Sequence, residues 1–233
     1  MSLNIQTLDE VNMSSVTFSK LRKNKNGGKT VYVNFNNQKV YLQLPFMKAP
    51  FGLGQFTDEA TKKTTYNLDL SLDPSVEGVD KFAELDELVL NTVKKNSVEW
   101  LGKDYNLAVM REALYKPLVR KSSKSDEYAP TLKLKILVDN NQNFIPEAYN
   151  TNREAIDLRN IEKGQKVLSI VDINQIWFID NKFGVSVRLQ QCLIEPSKKL
   201  PSFAFKGIDS LVTQTPVGSD AADDESENDE MDC

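Results

Sequence analysis

The chain has 233 residues, of which 40% are hydrophobic, so it can supply the core of one elaborated domain or of two small ones. It contains no histidine, which removes the commonest general base, the commonest metal ligand and the usual partner of a nucleophilic Ser or Cys. It also lacks a phosphate-binding loop motif. We therefore expect neither an enzyme nor a bound cofactor.

The amino-acid composition also indicates the cellular compartment of the protein. No apolar run approaches the ~20 residues of a membrane span, and the first residues lack the pattern of a secretory signal. Cys192 and Cys233 stand in unlike contexts and form neither a disulfide framework nor a zinc site. An intracellular protein with no membrane contact is the expectation.

In chain order, residues 1–30 form a polar arm that ends in a basic stretch and a Gly27-Gly28 hairpin turn. Period-two alternation predicts strands at 31–36, 39–44 and 66–72, with a loop rich in Pro, Gly and Phe at 45–54. Helical spacing predicts a long helix over 79–101 and a short one over 106–114, which together form a helical insertion at about 76–116.

The second half is again rich in strands, which are predicted at 131–138, 144–149, 166–178 and 183–194. Residues 179–182 join the last two as a hairpin, and 197–218 form a linker. This order predicts an α+β fold over 31–196: an OB-fold-like curved β-barrel with one long and one short helix at its edge.

The C-terminal stretch 219–233 is acidic and contains no base, so we expect a disordered tail. The whole chain has 29 Lys and Arg against 33 Asp and Glu; without the eight acids of the tail 25 acids remain, and the body carries about +4. A basic body with an acidic arm favours nucleic-acid binding, and a solubility tail is the alternative. The eight acids are Asp220, Asp223, Asp224, Glu225, Glu227, Asp229, Glu230 and Asp232.

Aromatic and basic residues are interleaved along the body, as a single-strand-binding groove requires: cations for phosphates and flat rings for unstacked bases. Taken singly, Tyr32, Tyr66 and Phe178 also fit a core, and Lys133 and Lys135 also fit the wet face of a half-buried strand. Asp69 and Asp73 could hold a metal, although they also fit the polar positions of a strand. The candidate nucleic-acid-binding residues are Lys20, Arg22, Lys23, Lys25, Lys29, Tyr32, Lys48, Phe51, Lys62, Lys63, Tyr66, Tyr115, Lys116, Arg120, Lys121, Lys124, Lys133, Lys135 and Trp177.

Several segments carry a resemblance to a known family: 27–34 (GGKTVYVN), 50–53 (PFGL), 66–72 (YNLDLSL), 94–102 (KKNSVEWLG), 114–119 (LYKPLV), 128–133 (YAPTLK) and 176–184 (IWFIDNKFG). In these, and in the order of elements over about 17–196, the chain resembles the OB-fold single-stranded-DNA-binding proteins of large nucleocytoplasmic DNA viruses. The resemblance implies support of viral DNA replication, repair or recombination. It also implies a replication site in the host nucleus or cytoplasm, or packaging in the virion.

The expected function is therefore non-enzymatic, sequence-tolerant binding of single-stranded DNA, with RNA as a second ligand that the sequence does not separate. The acidic tail would recruit replication proteins, by analogy with other single-strand-binding proteins, and a homo-oligomer is compatible with the pattern. The alternative is a virion-associated or structural protein-interaction module with no nucleic-acid binding. A metal-dependent nuclease built on Asp69 and Asp73 is a third hypothesis.

Overall fold

The chain divides into two units, residues 1–197 and residues 198–233. The computed structural model describes residues 4–24, 27–123, 125, 127–196 and 204–207. The second unit is thus described only at 204–207, and the acidic stretch 219–233 lies outside the described residues. Everything that follows concerns the first unit.

The first unit is mostly β-sheet, with few and short helices. Its strands are β1 (Ile5–Thr7), β2 (Val16–Phe18), β3 (Arg22–Lys23), β4 (Lys29–Phe35), β5 (Tyr41–Gln43), β6 (Met47–Ala49), β7 (Leu53–Thr57), β8 (Thr64–Ser71), β9 (Tyr115–Lys116), β10 (Val119–Arg120), β11 (Thr131–Ile136), β12 (Glu147–Tyr149), β13 (Ala155–Ile156), β14 (Gln165–Ile179) and β15 (Lys182–Ile194). The helices are α1 (Lys81–Lys95), α2 (Ser97–Leu101) and α3 (Leu107–Val109).

The long hairpin β14–β15 is the centre of the sheet. It turns at Ile179–Lys182, as the sequence predicts. β14 pairs on its outer side with β6, β5 and β4 in succession, and β15 pairs with β9, β11 and β12. Register shifts at 170/171 and 173/175 bend the hairpin, because a β-bulge kinks its strand.

The strand order across the sheet is β1-β5-β14-β15-β11-β8-β7. In the part of the chain that the structure describes, no pairing joins β1 to β7, so the sheet is open. A closed barrel is therefore absent from this arrangement, although the sheet-rich, mixed architecture agrees with the predicted fold class.

The long predicted helix is realised as two. α1 ends at Lys95, and Asn96 (φ −106°) leaves the helical region before α2 continues to Gly102, whose φ of +80° ends it. The predicted short helix begins as α3, capped by the Asn106 side chain, and continues as a π-helical turn over Met110–Leu114. No helix in the described residues is long and apolar enough to cross a membrane.

The core lies between the sheet and α1, which buries Phe82, Leu85, Val89 and other apolar side chains. The N-terminal stretch also contributes to this core. It forms β1 to β3 and buries Leu8 and Val11. Burial of this apolar surface is the main favourable term in folding.

Candidate nucleic-acid interface

The side of the sheet that faces away from the core is rich in basic side chains. In β11, Leu132, Leu134 and Ile136 are buried, so the alternating Lys133 and Lys135 point the other way. In register, Lys133 faces Asp69 and Lys135 faces Asn67 on β8, while Arg188 of β15 lies on the other side of Lys135. We call this side of β4, β14, β15, β11, β8 and β7 the basic face.

The centre of the basic face brings three cations close together, with Asp172 opposite one of them, Arg188, in register. The pKa of Lys135 is lowered, first because the surrounding protein removes water from the ammonium and then because Arg188 and Lys63 repel its charge. Among the described residues, none of these three side chains forms an ion pair. The Nε atom of Arg188 is also buried without a hydrogen-bond partner. Such a group favours an anion, since an unmet buried donor costs free energy.

One carboxylate lies within the same face. Burial raises the pKa of Asp69, while Lys133 and Arg120 oppose that rise, and the carboxylate accepts a hydrogen bond from the Asn67 amide at 2.8 Å. Asp73 instead closes a turn by accepting from the Ser75 amide at 2.9 Å. Within the residues the structure describes, no cluster of three metal-ligating side chains occurs.

Aromatic rings lie beside the basic side chains on this face. Phe56 of β7 lies opposite Thr65 of β8 and is 65% exposed, which is unusual for a large apolar side chain. Trp177 is half-buried. Its ring passes so close to Gly184 that a Cβ there would lie 2.8 Å from the indole, so only glycine fits. Rings of this kind can stack unpaired bases.

Near the other end of the face, Tyr32 of β4 is half-buried and pairs with Gln175 of β14. The guanidinium of Arg22 lies 5.3 Å from the centre of the Tyr32 ring. The predicted pairing of a basic side chain with an aromatic ring is therefore present here. Trp177 lies two residues after Gln175 on β14. The role of each in binding stays a prediction.

Lys116 and Arg120 lie on the basic face. The segment that carries them is held in place by a buried carboxylate, Asp86 of α1. Asp86 accepts hydrogen bonds from the amides of Leu118 (2.8 Å) and Val119 (3.1 Å) and from the Tyr115 hydroxyl. Burial raises its pKa, and these donors oppose the rise. The anchored segment lets Lys116 pair with Gly184 and Arg120 with Thr131.

Tyr115 was a candidate for stacking, but the structure places it in the core. Its ring is buried 5.1 Å from that of Phe183, and its hydroxyl is bound to Asp86. Burial and the nearby carboxylate raise its pKa. Its arrangement is that of an anchor for the basic segment, with no ring face open to a base.

The other sequence candidates are scattered. Tyr66 packs edge-on against Phe144 at 5.0 Å, and the Lys29 ammonium donates to the Trp100 carbonyl at 3.1 Å. Lys48 pairs with Lys166 at the start of β14, and Phe51 lies in the turn between β6 and β7. Lys20, Lys23, Lys62 and Lys121 are exposed. Lys25, Lys124 and the acids of the tail lie outside the described residues.

Sequence reasoning missed Arg188 and Phe56. Arg188 stands between Ser186 and Gln190 in a run whose other positions are apolar, and this alternation does mark one wet strand face. Phe56 has no such signal, because Gly54, Gln55 and Thr57 around it do not suggest a strand.

Comparison with solved structures finds single-stranded DNA-binding proteins of phages. One is from bacteriophage Enc34 in complex with single-stranded DNA, at 14% identity and a TM-score of 0.44, covering 78% of this chain and 97% of that one. Another is encoded by bacteriophage T7, at 10% identity and a TM-score of 0.43, covering 69% and 93%. At these values the likeness establishes no shared function.

No curated protein sequence matches the chain. A family of unknown function, DUF5871, matches residues 60–206, more than half of the chain. The matched stretch begins just before β8 and includes β11, β14 and β15, and hence Lys63, Lys133, Lys135 and Arg188. The chain therefore belongs to the family of unknown function DUF5871.

Proposed function

We propose that this protein binds single-stranded DNA on its basic face, without catalysis and with little preference for sequence. The observation that carries the proposal is the cluster of Lys135, Arg188 and Lys63, in which the other two cations repel the Lys135 charge and Lys135 faces Arg188 and Asn67 instead of an acid. A phosphate backbone supplies the missing negative charge, and its binding releases counterions.

Single strands are favoured over duplex by the rings. Phe56 and Trp177 flank the cluster on an open sheet, and a ring gains from stacking only when bases are unpaired. Reading a duplex instead requires an element that enters the major groove. Among the described residues the longest helix, α1, buries one side in the core and carries no stripe of basic side chains.

A biological role follows from the sequence resemblance and is part of the proposal. The protein would coat single strands during replication, repair or recombination of a large DNA virus, with its acidic tail recruiting other replication proteins. RNA binding and self-association are open extensions of the same role.

A second candidate function rests on an apolar groove beyond the cluster. Leu168, Ile170 and Leu193 line a cavity of about 190 Å³ with Tyr149 and Arg153 at its border. An apolar surface of this type is suited to a protein contact. It favours the alternative of a structural interaction module and is compatible with DNA binding elsewhere on the same chain.

The test is fluorescence anisotropy with a labelled oligo-dT, with and without magnesium. Binding without cleavage is expected. Duplex of the same length should compete poorly, and oligo-U serves to measure the preference for DNA. Absence of binding would favour the interaction module, and cleavage with magnesium would favour the nuclease.

Stacking is tested with Phe56→Leu and Trp177→Leu. Each should keep the fold and lose roughly 1–3 kcal/mol of binding if its ring stacks a base. Val98→Ala on α2 is the control, because it truncates an exposed apolar side chain that is not on the basic face. If both leucine variants bind as tightly as wild type, stacking on this face is wrong.

A further inference from the structure

A second group of basic and aromatic side chains lies at the N-terminal end of β14. Lys48 of β6 and Lys166 of β14 are both exposed and stand directly opposite each other in the antiparallel register. Like charges in this arrangement destabilise a sheet, because the two Cβ atoms are only about 5 Å apart. In the described part of the chain neither lysine forms an ion pair.

Two glycines lie in contact with other segments of this region. A Cβ on Gly164 would lie 3.5 Å from the Cε atom of Lys48, so the lysine side chain crosses the 161–164 loop. Gly52 has a φ of +66°, and a Cβ there would lie 2.8 Å from the Ile161 carbonyl oxygen. The turn at 49–52 is thereby fixed against the loop that carries Lys163, which is also exposed.

This packing displays two phenylalanines beside the lysines. Phe51 is 60% exposed on the turn that Gly52 fixes, and Phe46, immediately before β6, is 39% exposed. Cations with exposed rings on a rigid frame are again the combination that binds phosphates and unstacked bases. We call Phe46, Lys48, Phe51, Lys163 and Lys166 the distal patch.

The distal patch lies at the opposite end of β14 from Trp177. Lys166 and Trp177 are eleven residues apart on β14, which is roughly 36 Å of extended strand and less where the bulges bend it. Between them the buried Asp172 pairs with Lys39 at 3.0 Å and faces Arg188 in register, so an acid lies between the two groups.

We propose that the distal patch is a second binding site for the same single strand, so that the protein holds a long strand at two places. The proposal rests on the proposed function and extends it, because it makes affinity depend on strand length. A strand long enough to reach both sites binds the second at a high effective concentration, and the two affinities then reinforce each other. A strand too short to span them occupies one site only.

The experiment compares a short oligo-dT of about 5 nucleotides with one of about 20, which lie near the lower end of and above the roughly 4–16-nucleotide site sizes of single-strand-binding folds. The variant Lys48→Gln with Lys166→Gln should bind the short strand within about twofold of wild type and the long strand at least about 10-fold more weakly. Phe51→Leu should show the same dependence on length. Both variants should keep the wild-type thermal midpoint or exceed it, because they relieve a repulsion or alter an exposed ring.

Two further variants separate the outcomes. Lys135→Gln, on the basic face, should weaken both strands. Glu195→Gln should tighten only the long strand, because the Glu195 amide bonds to the Lys166 carbonyl and the substitution removes an acid beside the patch. An equal loss for both lengths in the Lys48/Lys166 variant, or no loss for the long strand, would overturn the second site. Absence of binding by the wild type at every length would instead overturn the proposed function.

Discussion

Lys135→Gln should affect stability and binding with opposite signs. The folded chain lowers the pKa of Lys135 below its ordinary value of 10.5, so the charged form is less favourable in the folded than in the unfolded chain. That penalty is complete at pH values below the lowered pKa and disappears as the pH rises towards 10.5. At neutral pH the substitution should therefore leave the thermal midpoint unchanged or raise it.

Binding should fall in the same variant. A charge-assisted hydrogen bond contributes about 1.5–3 kcal/mol, which corresponds to a loss of roughly 10- to 150-fold in affinity. Removal of one phosphate contact should also reduce the slope of log K against log salt by about 0.7. Between about 50 and 200 mM salt, the variant should lose about 2.6-fold less affinity than the wild type does.

Anisotropy titrations at several salt concentrations, with thermal unfolding in parallel, measure both effects. Lys95→Gln removes the same charge from an exposed position on α1 and should change neither the slope nor the affinity by much. Equal losses in the two lysine variants would mean that only the total charge matters. Unchanged binding by Lys135→Gln, or a clear fall in its thermal midpoint, would refute the role given to the cluster.

Three other predictions concern the frame of the site and the tail. Gly184→Ala should lower both stability and affinity, because the new methyl would collide with the Trp177 ring and the Lys116 backbone; unfolding and anisotropy measure the two losses. Asp86→Asn should change the pH dependence of stability. Burial raises the Asp86 pKa above 3.8, so ionisation costs more in the folded than in the unfolded chain. The difference in unfolding free energy between wild type and variant, measured in urea, should therefore shrink as the pH rises from 3.8 through the raised pKa. Deletion of 219–233 should tighten DNA binding at low salt and less so at high salt, because the tail competes with phosphates; equal affinity at low salt would favour a solubility role.

Elements with a clear period could be predicted from the sequence. The alternation of apolar residues marks β4, β8, β11, β14 and β15, and each is present in the structure within a few residues of its predicted bounds. The hairpin between β14 and β15 was predicted for the same reason. These strands are the central ones, and their pattern follows directly from having one buried face.

Edges and short strands could not be predicted in this way. β7 contains two polar residues and a glycine around Phe56, and its identity as a strand comes from pairing with β8. The break at Asn96 is likewise absent from the helical pattern, which runs on to Trp100. In both cases tertiary packing outweighs the local pattern.

The candidate site shows the same division. The outward direction of Lys133 and Lys135 follows from alternation within one strand, and the sequence predicts it. Their proximity to Arg188 depends on which strand lies beside β11, and no local pattern specifies that neighbour. The burial of Tyr115 depends in turn on Asp86, which is 29 positions away in the chain.

The arrangement of charge at the proposed sites leaves cations beside one another. At other positions the fold pairs a cation with an acid, as in Arg111 with Glu87 and Lys39 with Asp172, although Lys23 also faces Lys29 in register. At Lys135 and at Lys48 it instead places another cation, although an acid in the facing position would be more stable. A local rule broken at a stability cost is typical of a functional position. A polyanion would compensate both costs at once, because a chain of negative charges can contact two separated groups of cations.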